Sequence, residues 1–335
     1  MNLLKTKLQK ENTGLPTELE FSTIASRRNL HKTKNEKYKH RRLVKGAIGE
    51  EIVFEYLKTY GQKHWLIFRN IWLDYYGEFE CDFIVFTGHK FYILEVKNYT
   101  GLFTFQDGIS KRNGQKINGN CFQQARRAYT NIQSICNEVS PVIPVEGAVI
   151  FPNVNNHIHI VSEVNDVKVV PRTYLKLFID EMIKDRKNHF GSRVHAEKTI
   201  HQLGKYEIVN SHFPDPYSKN QMKFARRGIC CMKCHSFNLT IHKHYVSCNC
   251  GFKELCESAV LRSIYEYCVL TYGQNFTRQE ISFFIDHQYS KNFILKVINK
   301  HFKKINSNKH TKYLNVLPAQ FRLQNMIPEF TLGEI

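Results

Sequence analysis

Apolar residues recur at helical spacing from Leu43 onward. Ile48, Ile52, Val53, Tyr56 and Leu57 fall on one side of a 3.6-residue spiral, so residues 46–60 read as an amphipathic helix. The pattern then changes. Trp65–Trp72, Phe79–Phe86 (FECDFIVF) and Lys90–Asn98 (KFYILEVKN) are short runs rich in β-branched and aromatic residues, and each reads as a strand. Thr87-Gly88-His89 between the last two suits a hairpin link. Gly101–Phe105 reads as a further short strand, residues 120–138 return to helical spacing, and Val145–Phe151 is a strand-like apolar run. The order helix, three strands, helix, strand predicts a mixed α/β domain over residues 43–158.

The flanks differ in character. Residues 1–42 read as a basic N-terminal arm: through residue 45 there are twelve Lys or Arg against four Glu, and apolar positions thin out between Ser22 and Arg42. Such a segment is a solvated helix or flexible arm, or one that grips phosphates. Residues 159–227 read as a connector with helices, with Phe190–His201 and Ser211–Asn220 as linker or loop. Cysteines crowd residues 228–255, and residues 256–335 form a helical C-terminal unit. There, Thr277-Arg278-Gln279-Glu280 is a capping box ahead of an apolar helix. Ser290–Lys304 is a second helix, with Phe293, Ile294, Val297, Ile298 and Phe302 at helical spacing. The pair fits ordinary helical packing, or a helix-turn-helix touching DNA through Lys296, Lys300, Lys303 and Lys304.

Composition narrows the function. At 42% hydrophobic and 13% aromatic residues the chain can build real cores, which excludes wholesale disorder. Lys plus Arg number 48 against 30 Asp plus Glu, a net +18, and that field attracts polyanions. Nucleic acid is favoured over a membrane: no apolar run approaches the roughly 20 residues of a span, and no lipidation motif is present. The first residues carry no apolar signal core, so a cytoplasmic, reducing location is expected. Cysteines there serve as metal ligands or buried thiols rather than disulfides.

Cys231-Met232-Lys233-Cys234, then thirteen residues, then Cys248-Asn249-Cys250 form two knuckles able to converge on one tetrahedral Zn²⁺. A closed four-thiolate site leaves no open position, so that zinc would be structural. Asn238–Ile241 and His244–Ser247 would be the strands of a small zinc ribbon, with Cys230, His235, His242 and His244 as competing ligands. Cys256 and Cys268 read as buried thiols. Lys233, Lys243, Lys253, Arg226 and Arg227 make this segment basic, and Phe237, Tyr245 and Phe252 interleave with them. That mix suits single strands or a distorted duplex, with simple packing as the alternative.

The sharpest chemistry lies on the hairpin. Glu95 and Lys97 are two apart in a strand and share a face, with Leu94 and Val96 on the other. Asp82 lies in the partner strand, within reach of Glu95 if the register allows. Paired carboxylates invite a hard divalent cation, and a neighbouring amine can orient water or offset charge on a phosphate. Taken alone, the trio equally describes a cross-strand salt bridge at a sheet edge. Glu80 shares the face of Asp82 and reads as solvent-facing, or as a further ligand.

The surrounding motifs settle on a family. Gly46-Ala47-Ile48-Gly49-Glu50, then Glu80-Cys81-Asp82-Phe83-Ile84-Val85, then Ile93-Leu94-Glu95-Val96-Lys97-Asn98-Tyr99-Thr100-Gly101 resemble, in order and spacing, the NERD (nuclease-related domain) family, assigned to the restriction-endonuclease-like PD-(D/E)xK superfamily. The resemblance covers about residues 43–152. It implies an α/β fold, a restriction-endonuclease-like mixed sheet flanked by helices. It implies a metal-dependent nuclease hydrolysing phosphodiester bonds, with DNA as the expected substrate. Asp82 and Glu95 would hold Mg²⁺ (or Mn²⁺), Lys97 would be the catalytic lysine, and Glu50 would complete the metal shell or hydrogen-bond to it. Asn120-Cys121-Phe122-Gln123-Gln124 falls where the family has Asn-Pro before a helix carrying Gln; here Cys121 replaces the proline. Gln124, or Gln123, would then contact substrate or Lys97, and Arg126 and Arg127 follow on the same helix. A non-catalytic nucleic-acid-binding protein and a partner-dependent DNA-processing accessory are the alternatives. The oligomeric state is open, a dimer included.

Overall fold

The structure, a computed structural model, describes residues 17–139, 143–162, 164, 166–185, 193–210, 214–305 and 311–315. Lys5, Lys7 and Lys10 of the arm, Phe190 of the expected linker and the C-terminal residues 316–335 lie outside these. Two helices lead, α1 (Glu18–Arg27) and α2 (Lys34–Tyr60). The chain divides into two compact units, one built from Leu43–Asn210 and the other from the described residues of Gly14–Arg42 and Ser211–Ile335.

In the first unit the order is β1 (Leu66–Asp74), β2 (Glu78–Phe86), β3 (Phe91–Val96), β4 (Gly101–Gln106), β5 (Ile109–Arg112), β6 (Gln115–Lys116), α3 (Cys121–Val139), β7 (Val145–Phe151), β8 (Asn156–Ile160), β9 (Val167–Pro171), α4 (Leu175–Lys184), α5 (Arg193–Tyr206) and β10 (Glu207–Ile208). The main sheet runs β10-β1-β2-β3-β7-β9. It is antiparallel as far as β3 and parallel across β3, β7 and β9. A smaller sheet runs β6-β5-β4-β8.

Both faces of the main sheet are covered, which explains why β3 reads as a continuous apolar run. On one face Phe68, Ile71, Ile84 and Ile93 meet Ile132 and Ile135 of α3 and Leu203 of α5. On the other, Phe83, Val85, Leu94 and Ile150 meet Val53 and Leu57 of α2 and Phe178 and Ile179 of α4. Residues 193–201, expected to be linker, are instead the start of α5. Ile200 and Leu203 supply its buried stripe, too sparse a pair among polar neighbours to announce a helix in advance.

The second unit continues with α6 (Lys219–Met222), β11 (Leu239–Ile241), β12 (Tyr245–Cys248), β13 (Lys253–Leu255), α7 (Cys256–Leu270), β14 (Phe276–Thr277), α8 (Arg278–Phe284), α9 (Lys291–His301) and β15 (Lys312–Tyr313). Helix α7 is its axis: Ala259, Val260, Ile264, Cys268 and Val269 are fully buried. The capping box at Thr277 is formed, its hydroxyl accepting from the Glu280 N–H while the Glu280 carboxylate accepts from the Thr277 N–H. The arm expectation is corrected for residues 17–31. Phe21, Ile24, Ala25 and Leu30 form one apolar stripe inside this unit's core, and Thr17 caps α1 with a box of its own. Basic neighbours masked a narrow stripe of i, i+3, i+4 spacing.

A buried charge cluster ties α1 to α7. Arg28 and Glu266 are fully enclosed and ion-paired, with the Arg28 Nε donating to Glu266 Oε2 at 2.8 Å. Arg27 reaches Glu266 Oε1 at 2.8 Å. Arg28 also donates to the carbonyls of Arg226 and Gly228 at 3.0 and 2.6 Å, and its guanidinium sits 4.1 Å from the Phe284 ring centroid. Burial pushes the Glu266 carboxyl up, but Arg28, Arg27 and Arg262 outweigh it and hold it down at about 2. No described helix is long and apolar enough to cross a membrane.

Replacing Glu266 by Gln strands buried guanidinium groups. We expect a loss of about 3–5 kcal/mol in unfolding free energy for the second unit, read by urea titration. Because the folded carboxyl titrates below its ordinary 4.5, its stabilisation is whole above that pH and disappears as pH falls towards about 2. The wild type should therefore lose its advantage over Glu266→Gln across that acid interval.

Candidate active site

The β2–β3 ladder opens where the acids lie. Pairing runs from Phe86↔Phe91 to Phe83↔Leu94 and stops, although β3 continues against β7, with the Lys97 N–H donating to the Ile150 carbonyl at 2.8 Å. In the gap Asp82 takes over the acceptor role: its Oδ2 accepts from the Val96 N–H at 2.7 Å. The side chain thus sits between the strands rather than flat on one face. The apolar phase slips at the same level. Cys81 and Ile84 share one core face, as do Phe68 and Ile71 on β1. Asn70, between the pairs Arg69↔Phe83 and Ile71↔Cys81, has φ +52°, a left-handed conformation that Asn tolerates better than most residues.

Lys97 Nζ lies 2.5 Å from Glu95 Oε1 and donates to Gln124 Oε1 at 3.2 Å. Helix α3 delivers Gln124. Asn120 caps that helix, its Oδ1 accepting from the Phe122 and Gln123 N–H groups at 3.0 and 3.2 Å, so Asn does the capping with Cys121 in place of proline. Arg126 pairs with Asp166 at 2.9 Å, and Arg127 donates to the Glu78 carbonyl at 3.2 Å.

Glu50 comes from α2, and its approach depends on Gly49. A Cβ at Gly49 would stand 2.5 Å from the Asn98 Cβ and 3.3 Å from Pro152 Cγ. Asn98 is itself fixed, its Nδ2 donating to the Lys45 carbonyl at 2.7 Å and its Oδ1 accepting from Asn153 Nδ2 at 2.9 Å. Asn153 and Asn70 were not singled out from the sequence, and Asn98 only as part of a motif. For Asn70 the sole signal is the broken alternation between Phe68 and Ile71.

The electrostatics match a crowd of acids. Burial, then Asp82, pushes Glu50 up to about 7. The same two causes raise Glu95 to about 7. Glu80 rises to about 8 through burial and then Asp82, Glu50 and Glu95, so it belongs to the cluster rather than to a solvated face. Burial raises Asp82 as well. Burial would lower the Lys97 ammonium, but Glu95 and Asp82 outweigh it and raise it. Glu95 is only 3% exposed, and its Oε1 is held by the Lys97 ammonium.

In the second unit the Sγ atoms of Cys231, Cys234, Cys248 and Cys250 all lie within 4.8 Å of one another, a group that could hold a metal ion. Among the described residues no other set of three His, Cys, Asp or Glu meets that distance. Cys230, a competing ligand in the sequence, turns away to the Arg27, Arg262 and Glu266 cluster. His242 stacks on Tyr245, and His235 Nε2 accepts from the Arg27 guanidinium at 3.1 Å. Cys256 and Cys268 are buried thiols.

Residues 45–152 match the family model described as NERD, nuclease-related domain. This span contains the whole acid cluster and Lys97. No curated protein and no solved structure matches the chain.

Gly49→Ala should overpack the α2–Asn98 contact and lower unfolding free energy by about 1–3 kcal/mol. At Gly46 a Cβ meets only Glu50 Oε1, at 4.0 Å. Gly46→Ala should therefore be neutral or stabilising by up to about 1 kcal/mol. Thermal unfolding of the two variants side by side checks the contrast.

Proposed function

We propose that the first unit is a divalent-metal-dependent nuclease of the PD-(D/E)xK kind that hydrolyses phosphodiester bonds in DNA. The observation that carries this is the open β2–β3 ladder, which gathers Asp82, Glu95 and Lys97 beside Glu50. The residues fit a hard cation: several enclosed carboxylates raise one another's pKa. Asp82 and Glu95 would hold Mg²⁺ or Mn²⁺, with Glu50 supporting the shell. A metal there lowers the pKa of bound water and offsets charge on a phosphate. Lys97, positioned by Glu95 and Gln124, supplies a fixed positive charge where the scissile phosphate gains negative charge. The basic surface of the chain draws the polyanion in.

A non-catalytic nucleic-acid-binding role is favoured by one observation: Lys97 is closed onto Glu95, and among the described residues no three carboxylates form a group able to hold a metal ion. Cleavage separates the two. With Mg²⁺ or Mn²⁺ and supercoiled plasmid or single-stranded DNA, the wild type should cut, and Lys97→Ala and Asp82→Ala should each fall by about 100-fold or more. Equal binding by all three proteins with no cutting of any substrate rejects the nuclease role.

We further propose that the four cysteines hold one structural zinc in a ribbon formed by β11–β13. Such a segment is too small for a core of its own, so the metal contributes to its folding. Elemental analysis should find about one zinc per chain. Cys234→Ser should lower that content and the stability of the second unit, and a folded, zinc-free preparation contradicts the assignment.

A further inference from the structure

The three-stranded sheet of the second unit has an outer face with a chemistry of its own. Pairing sorts its side chains: Leu239↔Cys248 and Ile241↔Val246 share one face, while Thr240↔Ser247↔Lys253 and Tyr245↔Leu255 share the other. Val246 and Cys248 are buried, whereas Tyr245 is 37% and Leu255 64% exposed. The Tyr245 ring is held in place. It stacks on His242, with centroids 4.2 Å apart and planes 19° from parallel, and His242 Nε2 lies 3.0 Å from Ser247 Oγ. Lys253 Nζ stands 5.7 Å from the Tyr245 centroid, and exposed Lys243 occupies the turn between β11 and β12.

The charge on this segment has one sign. Residues 216–253 include seven Lys or Arg and no Asp or Glu. The first acid beyond them, Glu254, pairs with Val246 on the opposite face and is bound to Arg262 at 2.5 Å. An exposed apolar and aromatic patch marks a contact surface, and the absence of acid selects a polyanion. A fixed ring flanked by cations suits a strand whose bases are unstacked, since duplex bases offer no free π-face.

We propose that this face docks single-stranded DNA, one base extending the His242–Tyr245 stack and Lys243 and Lys253 meeting phosphates. The choice of DNA over RNA rests on the nuclease proposal; the docking chemistry does not. The test uses the full-length, zinc-loaded chain carrying Lys97→Ala, so that the probe stays intact, and fluorescence anisotropy of a fluorescein-labelled single-stranded oligodeoxynucleotide. Tyr245→Ala should weaken binding about fivefold or more, and Tyr245→Phe should restore it. Lys243→Gln with Lys253→Gln should flatten the dependence of log affinity on log salt by about 1.4. Zinc content is measured for each variant, and the lysine pair decides the matter if Tyr245→Ala loses metal.

Parent-like affinity and salt dependence in the zinc-loaded variants overturn the proposal. So does tighter binding of duplex DNA or of RNA of the same sequence, or Tyr245-dependent binding to phosphatidylserine-rich vesicles in place of the oligonucleotide. Plasmid cleavage by the chain with Lys97 intact is scored separately. A protein that binds through Tyr245 but never cuts removes the nuclease proposal and leaves this one standing.

Discussion

The hydrogen bond from the Val96 N–H to the Asp82 carboxylate is the contact on which the first unit's acid cluster depends. A strand in a closed ladder would satisfy that N–H with a backbone carbonyl and leave no room between β2 and β3. By accepting it, the carboxylate lets the two strands part without orphaning a buried donor, a vacancy that would otherwise cost about 1–3 kcal/mol. The parting makes the space in which the acids and Lys97 meet. Parallel pairing of β3 with β7 keeps the far side of the gap rigid.

The cluster is under electrostatic stress. Glu50, Glu80 and Glu95 all titrate well above ordinary carboxylates because they are removed from water and face Asp82. Lys97 offsets part of this through its ion pair with Glu95. Like-charge crowding of this kind is relieved by a cation or by protonation. Gly49 and Asn98 hold the helix that brings in Glu50, Gly49 by allowing its close approach and Asn98 by its side-chain hydrogen bond to the Lys45 carbonyl.

The second unit meets a different constraint. Its three-stranded sheet has little apolar interior, and beside it lie the converging cysteines and the Arg27, Arg28, Arg262 and Glu266 cluster next to Cys230. Buried ion pairs of this kind fix geometry more than they add stability. The result is a sheet whose inner face is anchored and whose outer face is left to make contacts.

Much of the first unit was legible in the sequence because its signals are local. Val145–Phe151 coincides with β7, and Phe79–Phe86 and 120–138 fall within a residue of β2 and α3. Period-2 and period-3.6 patterns declare such elements wherever one face is buried. The motif residues around Glu50, Asp82, Glu95 and Lys97 were equally visible, as was the four-cysteine spacing. What the chain pattern could not disclose depends on contacts distant in sequence. Residues 17–31 look like a polar arm until α7 offers Glu266 to Arg27 and Arg28. Asn70 looks ordinary until strand pairing puts it opposite Asp82. Cys230 and Cys231 are adjacent and chemically identical, and only the fold turns one towards arginines and the other towards three more thiols. Residue type and spacing determined which groups were capable of chemistry; the tertiary structure decided which of them share a space, because strand register and helix approach are set by packing across the whole unit.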